Sequence, residues 1–213
     1  MIVTKRYYPY ILMVDHNILK KEFYLNPDLI KVSKSLLGKI IETNINNKKT
    51  SGVIVETEAY AGLDDKASHA YKNKLTRRNQ KMFDCGGISY VYICYGIHTL
   101  FNVVANSSSY PQAVLIRAIE PILGIKYMLK RRDMQKLSHN LTSGPGKLSQ
   151  ALGLTLKENG LTLQGPTIRI YDVEKKIANQ NIIASPRVGV DYAGKDALNP
   201  WRFRVRKNPW CSK

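Results

Sequence analysis

The chain of 213 residues has only three cysteines, Cys85, Cys94 and Cys211, with no C-x-x-C pair among them. That scarcity argues against a disulfide framework and a thiolate zinc site, and it suits a reducing interior. Acidic residues are also few: 16 Asp plus Glu against 33 Lys plus Arg leave a formal net charge of +17. An excess of this size costs self-repulsion in a compact chain and points to a polyanionic partner, nucleic acid ahead of an anionic membrane. A lysine-rich background composition is the blander source of the same charge. Charge is missing altogether from Cys85 to Ile116. By length that run admits a spanning helix, but Tyr90, Tyr92, Tyr95, His98, Thr99 and Asn102 punctuate it, and Ser107 to Ser109 break it. Its β-branched and aromatic residues read as paired strands, so no membrane association is expected. The first fourteen residues lack the clean apolar stretch and small-residue cleavage site of a signal peptide. A cytoplasmic location follows, nucleoid-associated in a bacterium.

What is present is enough apolar residue, 44% of the chain, to bury one core and to argue against disorder. Asn26-Pro27-Asp28, then Leu29, Ile30, Leu36, Leu37 and Gly38, predicts a short helix with a cap, a proline at N1 and a terminating glycine. Lys39 to Thr43 and Gly52 to Thr57 predict a hairpin through Asn44 to Asn47. Ala61 to Lys81 reads as a long irregular loop, a type of segment that is often functional. Ile88 to Cys94 and Leu100 to Ala105 are strand candidates around Gly96, and Ala113 to Ile119 is another, ended by Glu120-Pro121. Gly124 to Lys136 and Ser143 to Leu152 read as helices, and Thr162-Leu163, Ile168 to Tyr171 and Phe203 to Val205 as strands. The expected fold is one α+β domain with a mainly antiparallel sheet and flanking helices.

Chemistry concentrates in a few places. In Gly52-Val-Ile-Val-Glu-Thr-Glu-Ala-Tyr60 an apolar strand delivers Glu56, Glu58 and Tyr60 at period two, on one face. His69 follows in a loop whose six basic residues between Lys66 and Lys81 face no acidic one, a composition that attracts phosphates. Each alone has an ordinary explanation: strand-end glutamates are usually solvated, and loop histidines are usually incidental. Tyr90 and Tyr92 share a strand face, with Tyr95 beside Gly96 at the turn. Such tyrosines pack a half-buried sheet, stack a planar base, or wedge into a base stack from a hairpin tip. Arg117 within Leu115-Ile-Arg-Ala-Ile and Asn102 within Leu100-Phe-Asn-Val-Val are polar intruders in apolar strands. A buried arginine needs a partner or a polar site; the asparagine either satisfies an internal hydrogen bond or reads a base edge. No nucleophile triad, phosphate loop or metal-ligand spacing competes with this set.

Taken in order, Val55-Glu-Thr-Glu-Ala-Tyr60, Arg78-Asn79, Met82-Phe83, Tyr90-Val-Tyr92, Tyr95-Gly96, Leu115-Ile-Arg-Ala-Ile-Glu-Pro121 and Ser143-Gly-Pro resemble the alkyladenine (3-methyladenine) DNA glycosylases. Leu36-Leu-Gly-Lys39, Arg187-Val-Gly-Val190, Ala193-Gly194, Arg202-Phe203 and Pro209-Trp210 extend the likeness to the C-terminus. The resemblance implies a single catalytic domain over residues 21–213, a protruding β-hairpin that inserts into DNA, and no metal or cofactor. Residues 1–20 are then an N-terminal extension of unknown role. It implies Glu58 as the general base for water, with Arg117 beside the water and the target phosphate. Tyr60, His69 and Tyr92 become the walls around a flipped base, Asn102 the group that disfavours guanine, and Tyr95 the wedge that replaces the flipped nucleotide. Thr76, Arg78, Tyr90 and Gly96 become further DNA contacts. Leu63 and Arg77 stand where the family carries proline, and Ile97 and His98 depart from it beside Tyr95; these differences bear on DNA contacts and substrate range.

The implied partner is double-stranded DNA containing a damaged purine, met by a monomer whose basic face stays open. Cleavage of an N-glycosidic bond passes through an oxocarbenium-like state, and unstacking the target base costs a few kcal/mol. No lysine occupies a matched catalytic position, so the expected product is an abasic site without strand cleavage. Alkylated purines are cationic and leave readily; deaminated and etheno purines need leaving-group protonation, for which the sequence supplies no assigned group. Two other readings remain. A non-catalytic basic nucleic-acid-binding protein leaves Glu58 and Arg117 without a purpose, and a nucleoside hydrolase leaves the charge without one.

Overall fold

A computed structural model describes residues 17–107, 110–173 and 176–213. The reading of the first fourteen residues falls wholly outside them, as does most of the proposed 1–20 extension. Antiparallel pairing dominates. Strand β1 (Asn17–Ile18) leads through α1 (Lys21–Tyr24) and α2 (Leu29–Ser35) into β2 (Ile40–Ile45) and the long β3 (Lys48–Tyr60). Then follow β4 (Ser89–Cys94), β5 (His98–Ala105), β6 (Gln112–Leu123), α3 (Ile125–Arg131), α4 (Pro145–Leu152), β7 (Ile168–Asp172), β8 (Ile182–Ser185) and β9 (Arg202–Val205). The spatial order β1-β7-β2-β3-β6-β5-β4 forms one sheet, and β9 pairs with both β3 and β8. The expected α+β domain with a mainly antiparallel sheet is what forms.

Local sequence explains the boundaries. Asn46 and Asn47 both take positive φ, 53° and 58°, so a tight two-residue turn joins β2 to β3 and both strands run longer than the sequence pattern suggests. The α2 cap is Asp28, whose side chain accepts from the Lys31 N–H at 2.9 Å, not Asn26. Asn26 instead accepts from the Asp28 N–H, which sets up the entry to the helix. Helix α4 ends at Leu152 as expected, with Pro145 in its first turn and Gly153 closing it at φ 79°. Pro121 does not end β6. It pairs with Gly52 beside a register shift, where a missing N–H is tolerated.

The core gathers Ile54, Ile116, Ile119, Phe101 and Phe203 with Leu36 from α2 and Leu148 and Leu152 from α4. Each such side chain contributes roughly 1.5–3 kcal/mol on full burial. Helix α2 is tied to β3 by the Ser33 hydroxyl, 3.0 Å from that of Thr57. The segment after β3 crosses the end of the sheet in short turns of 3-10 helix, Gly62–Asp64, Tyr71–Asn73 and Gln80–Phe83. Gly62 is required there: at φ 74°, a Cβ on it would stand 2.1 Å from the Pro111 carbonyl oxygen.

Candidate active site

Strands β3 and β6 pair in a disturbed register. Glu56 opposes Ala118 and Thr57 opposes Ile116, so Arg117 sits between paired residues without a partner of its own. Such bulges redirect side chains and are common beside active sites. Here the bulge brings the polar intruder of β6 onto both carboxylates of β3. Arg117 Nε donates to Glu56 Oε1 at 2.8 Å, and its terminal nitrogen Nη1 stands 3.2 Å from Glu58 Oε1. Both carboxylates are closed to solvent, contrary to the ordinary expectation for strand-end glutamates.

Glu56 is the more heavily bound of the two. It also accepts from Arg202 Nε at 2.8 Å, the Ser212 hydroxyl at 2.8 Å and the Ser212 N–H at 2.5 Å. Burial pushes its carboxyl up, but Arg117, the Ser212 N–H and Arg202 together hold it below the usual carboxylate range. Glu58 is served differently. The Tyr60 hydroxyl donates to Oε2 at 2.9 Å and the Val188 N–H to Oε1 at 2.9 Å. Oε2 thus retains a lone pair beneath the side chains that cover it.

Those covering groups belong to a cavity of about 570 Å³, lined among others by Tyr60, His69, Tyr92, Asn102, Arg117 and Val188. Tyr90 and Tyr92 stack at 5.2 Å with planes 28° apart, and His69 meets Tyr92 edge-on at 4.8 Å. The guanidinium of Arg78 lies over the Tyr92 ring at 4.7 Å and donates to the Ile93 carbonyl. His69 Nδ1 is 2.8 Å from the Tyr90 hydroxyl. Burial, with Arg78 adding to it, lowers the His69 pKa to about 4, so the ring is neutral at physiological pH. Burial and the Glu58 charge raise the Tyr60 phenol well above its usual range. For Asn102 the internal hydrogen bond is present, its Nδ2 donating to the Tyr90 carbonyl at 3.0 Å, and the residue also lines the cavity.

Tyr95 and Gly96 form the turn between β4 and β5, at φ 51° and 75°, closed by the Ile97 N–H on the Cys94 carbonyl. Tyr95 is 83% exposed at the cavity mouth. Thr76 is not a cavity residue. Its amide and hydroxyl both donate to Asn79 Oδ1, and Asn79 Nδ2 donates to the carbonyls of His69 and Lys74. Asn79, buried and unassigned from sequence, therefore sets the path of the His69 loop. Sequence reasoning also gave no role to Asp65, Arg187, Val188, Arg202 or Ser212. Val188 acts through its main chain, which leaves no side-chain signature. The only signal for Arg187 was its place in the Arg-Val-Gly-Val motif.

Among the described residues no helix is long and apolar enough to cross a membrane, and no cluster of three His, Cys, Asp or Glu has metal-binding geometry. The family described as methylpurine-DNA glycosylase matches residues 22–209. A protein of Chlamydia felis is 51% identical over 187 residues, covering 87% of this chain and 95% of its own length. A Chlamydia abortus protein is 48% identical with 87% and 97% covered, and one of Bacillus cereus strain G9842 is 46% identical over 194 residues with 87% and 95% covered. All three carry the provisional name 3-methyladenine DNA glycosylase.

Proposed function

The chain belongs to the methylpurine-DNA glycosylase family, and we propose that it flips an alkylated purine out of duplex DNA and hydrolyses its N-glycosidic bond, leaving an abasic site. The observation that carries this reading is Glu58: a buried carboxylate with one lone pair to spare, bonded to Tyr60, Val188 and Arg117, all three of which line an aromatic-walled cavity roomy enough for a purine. In the proposed reaction a purine enters among Tyr60, His69 and Tyr92, and Tyr95 at the exposed tip fills the gap it leaves in the stack. Glu58 takes a proton from the attacking water and, with its negative charge, offsets the positive charge that builds on the sugar. Oε2, which among the described residues accepts only from the Tyr60 hydroxyl, is the oxygen left to take that proton, while Oε1 is held by the Val188 N–H and Arg117. Arg117, held on Glu56, orients Glu58 and faces the sugar-phosphate side of the cavity. Thr76, Arg78, Tyr90 and Gly96 then serve the DNA-bound state, Tyr90 from within the cavity wall and the other three from the surface.

The same cavity favours a base that leaves without help. His69 is neutral, and the Tyr60 hydroxyl is committed to Glu58 with its proton held more tightly than usual. Cationic 3-methyladenine needs no leaving-group proton, whereas hypoxanthine and ethenoadenine do. A single-turnover excision assay on duplexes carrying each lesion tests the assignment. 3-Methyladenine is expected to leave fastest, as free base, without strand nicking. Glu58→Gln should slow that step by about 10²–10⁴-fold while binding the damaged duplex as before. Normal excision by Glu58→Gln removes Glu58 from the mechanism, and free base release from nucleosides in preference to DNA makes the protein a nucleoside hydrolase.

A further inference from the structure

We propose that Arg187 is a positioning residue for excision, acting through Val188 and Tyr60 to hold two donors on Glu58. The proposal rests on the reading of Glu58 as the group that activates water. Arg187 has a fully buried side chain, as does its partner Asp65. Its two terminal nitrogens make four hydrogen bonds: Nη1 to Asp65 Oδ2 (2.5 Å) and the Ala59 carbonyl (3.0 Å), Nη2 to Asp65 Oδ1 (2.9 Å) and the Asp196 carbonyl (3.0 Å). The guanidinium carbon also lies over two rings, 4.9 Å from the centroid of Tyr60 and 5.0 Å from that of Trp201.

The geometry gives this one cation two outputs, both at Glu58. Arg187 is joined by a peptide bond to Val188, whose N–H donates to Glu58 Oε1 at 2.9 Å. It also carries the Tyr60 ring, whose hydroxyl donates to Glu58 Oε2 at 2.9 Å. Asp65 extends the fixture by accepting from the N–H groups of Ala61 and Ala67, which hold the start of the loop leading to His69. A structural ion pair alone has no reason to end on both oxygens of the same carboxylate. Lysine is a poor substitute, because it lacks the planar fork that makes the paired bonds and the stacking together.

The charged and titratable groups around Glu58 are Glu56 and Tyr60 on its own strand, Arg117 from β6, Arg202 opposite it on β9, and Arg187 itself. Losing well-placed hydrogen bonds to a carboxylate makes it more basic. Arg187→Lys is therefore expected to lower the single-turnover excision rate by roughly 10²-fold, the size typical of small misplacements. It should also move the acid limb of the pH–rate profile to higher pH while duplex affinity holds. Asp65→Asn, which keeps the guanidinium, should do the same more weakly. A second measurement needs no substrate: the side-chain carboxyl carbon resonance of Glu58 in ¹³C-glutamate-labelled protein, assigned by its loss in Glu58→Gln. Its titration midpoint should rise in Arg187→Lys, and in Asp65→Asn if the lysine variant fails to fold. A wild-type protein that releases no base overturns the reading of the site. An unchanged Glu58 midpoint, or a rate loss equal at every pH, overturns the role of Arg187.

Discussion

Arg117 Nη1 stands 3.2 Å from Glu58 Oε1 because its Nε is already fixed at 2.8 Å on Glu56. The two glutamates of β3 thus differ: Glu56 anchors the arginine, and Glu58 has fewer fixed partners, which suits the role proposed for it. The difference follows from strand periodicity together with a bulge, and each part makes a separate prediction.

Glu56 is a stability element with a definite pH signature. Its carboxyl is held below the ordinary value of 4.5 despite its burial, by Arg117, the Ser212 N–H and Arg202. A depressed folded pKa gives stability that is present in full above 4.5 and drains away as pH falls through the folded value. Urea unfolding of the wild type should show that loss below about pH 4.5. Glu56→Gln should be less stable at neutral pH by about 3–5 kcal/mol, since buried Arg202 loses its carboxylate partner and Arg117 is left with Glu58 alone. The gap should narrow in acid. A gap of constant size from neutral to acid pH would mean that the Glu56 charge contributes nothing.

His69 carries the same sign through different chemistry. Its pKa falls from 6.5 to about 4, through burial first and Arg78 second. Between those values the unfolded chain binds a proton that the folded chain refuses, so stability declines as pH drops from about 6.5 to about 4. Replacing the ring with an amide, His69→Gln, removes a proton acceptor without removing a polar side chain. The slope of unfolding free energy against pH in that window should become shallower in the variant. Identical slopes would place the His69 pKa near its ordinary value.

Much of this arrangement was legible in advance, and what was missed has a common cause. Period-two alternation placed Glu56, Glu58 and Tyr60 on one face of β3, and the apolar context of Arg117 announced that it needed a partner. Sequence spacing could not place Arg187, which is 122 positions from Asp65, or Ser212, which is 156 from Glu56. Nor could it see the Val188 N–H, which every non-proline residue possesses. Strand β8 was missed because Ile-Ile-Ala-Ser is too short to show alternation and forms only against β9. The proline at 121 looked like a terminator because its effect depends on a register shift in the neighbouring strand.

Tyr95 combines an uncommon backbone with an exposed ring, which allows folding and DNA engagement to be pulled apart. At φ 51° a non-glycine residue carries strain of roughly 1 kcal/mol. With the residue 83% exposed, little apolar burial offsets that cost in the free protein. Tyr95→Gly should therefore unfold at the same temperature as the wild type or a higher one, because glycine accepts positive φ without a Cβ penalty. Its added unfolded-chain entropy opposes this gain and limits its size. On damaged duplex the same variant should lose base-stacking energy of about 1–3 kcal/mol, seen as weaker binding to a flipped abasic-site product and slower excision. The two effects have opposite signs only if the ring is kept for the DNA-bound state. A Tyr95→Gly protein that is markedly destabilised, yet excises 3-methyladenine at the wild-type rate, would make the tyrosine a fold residue and remove it from the DNA interface.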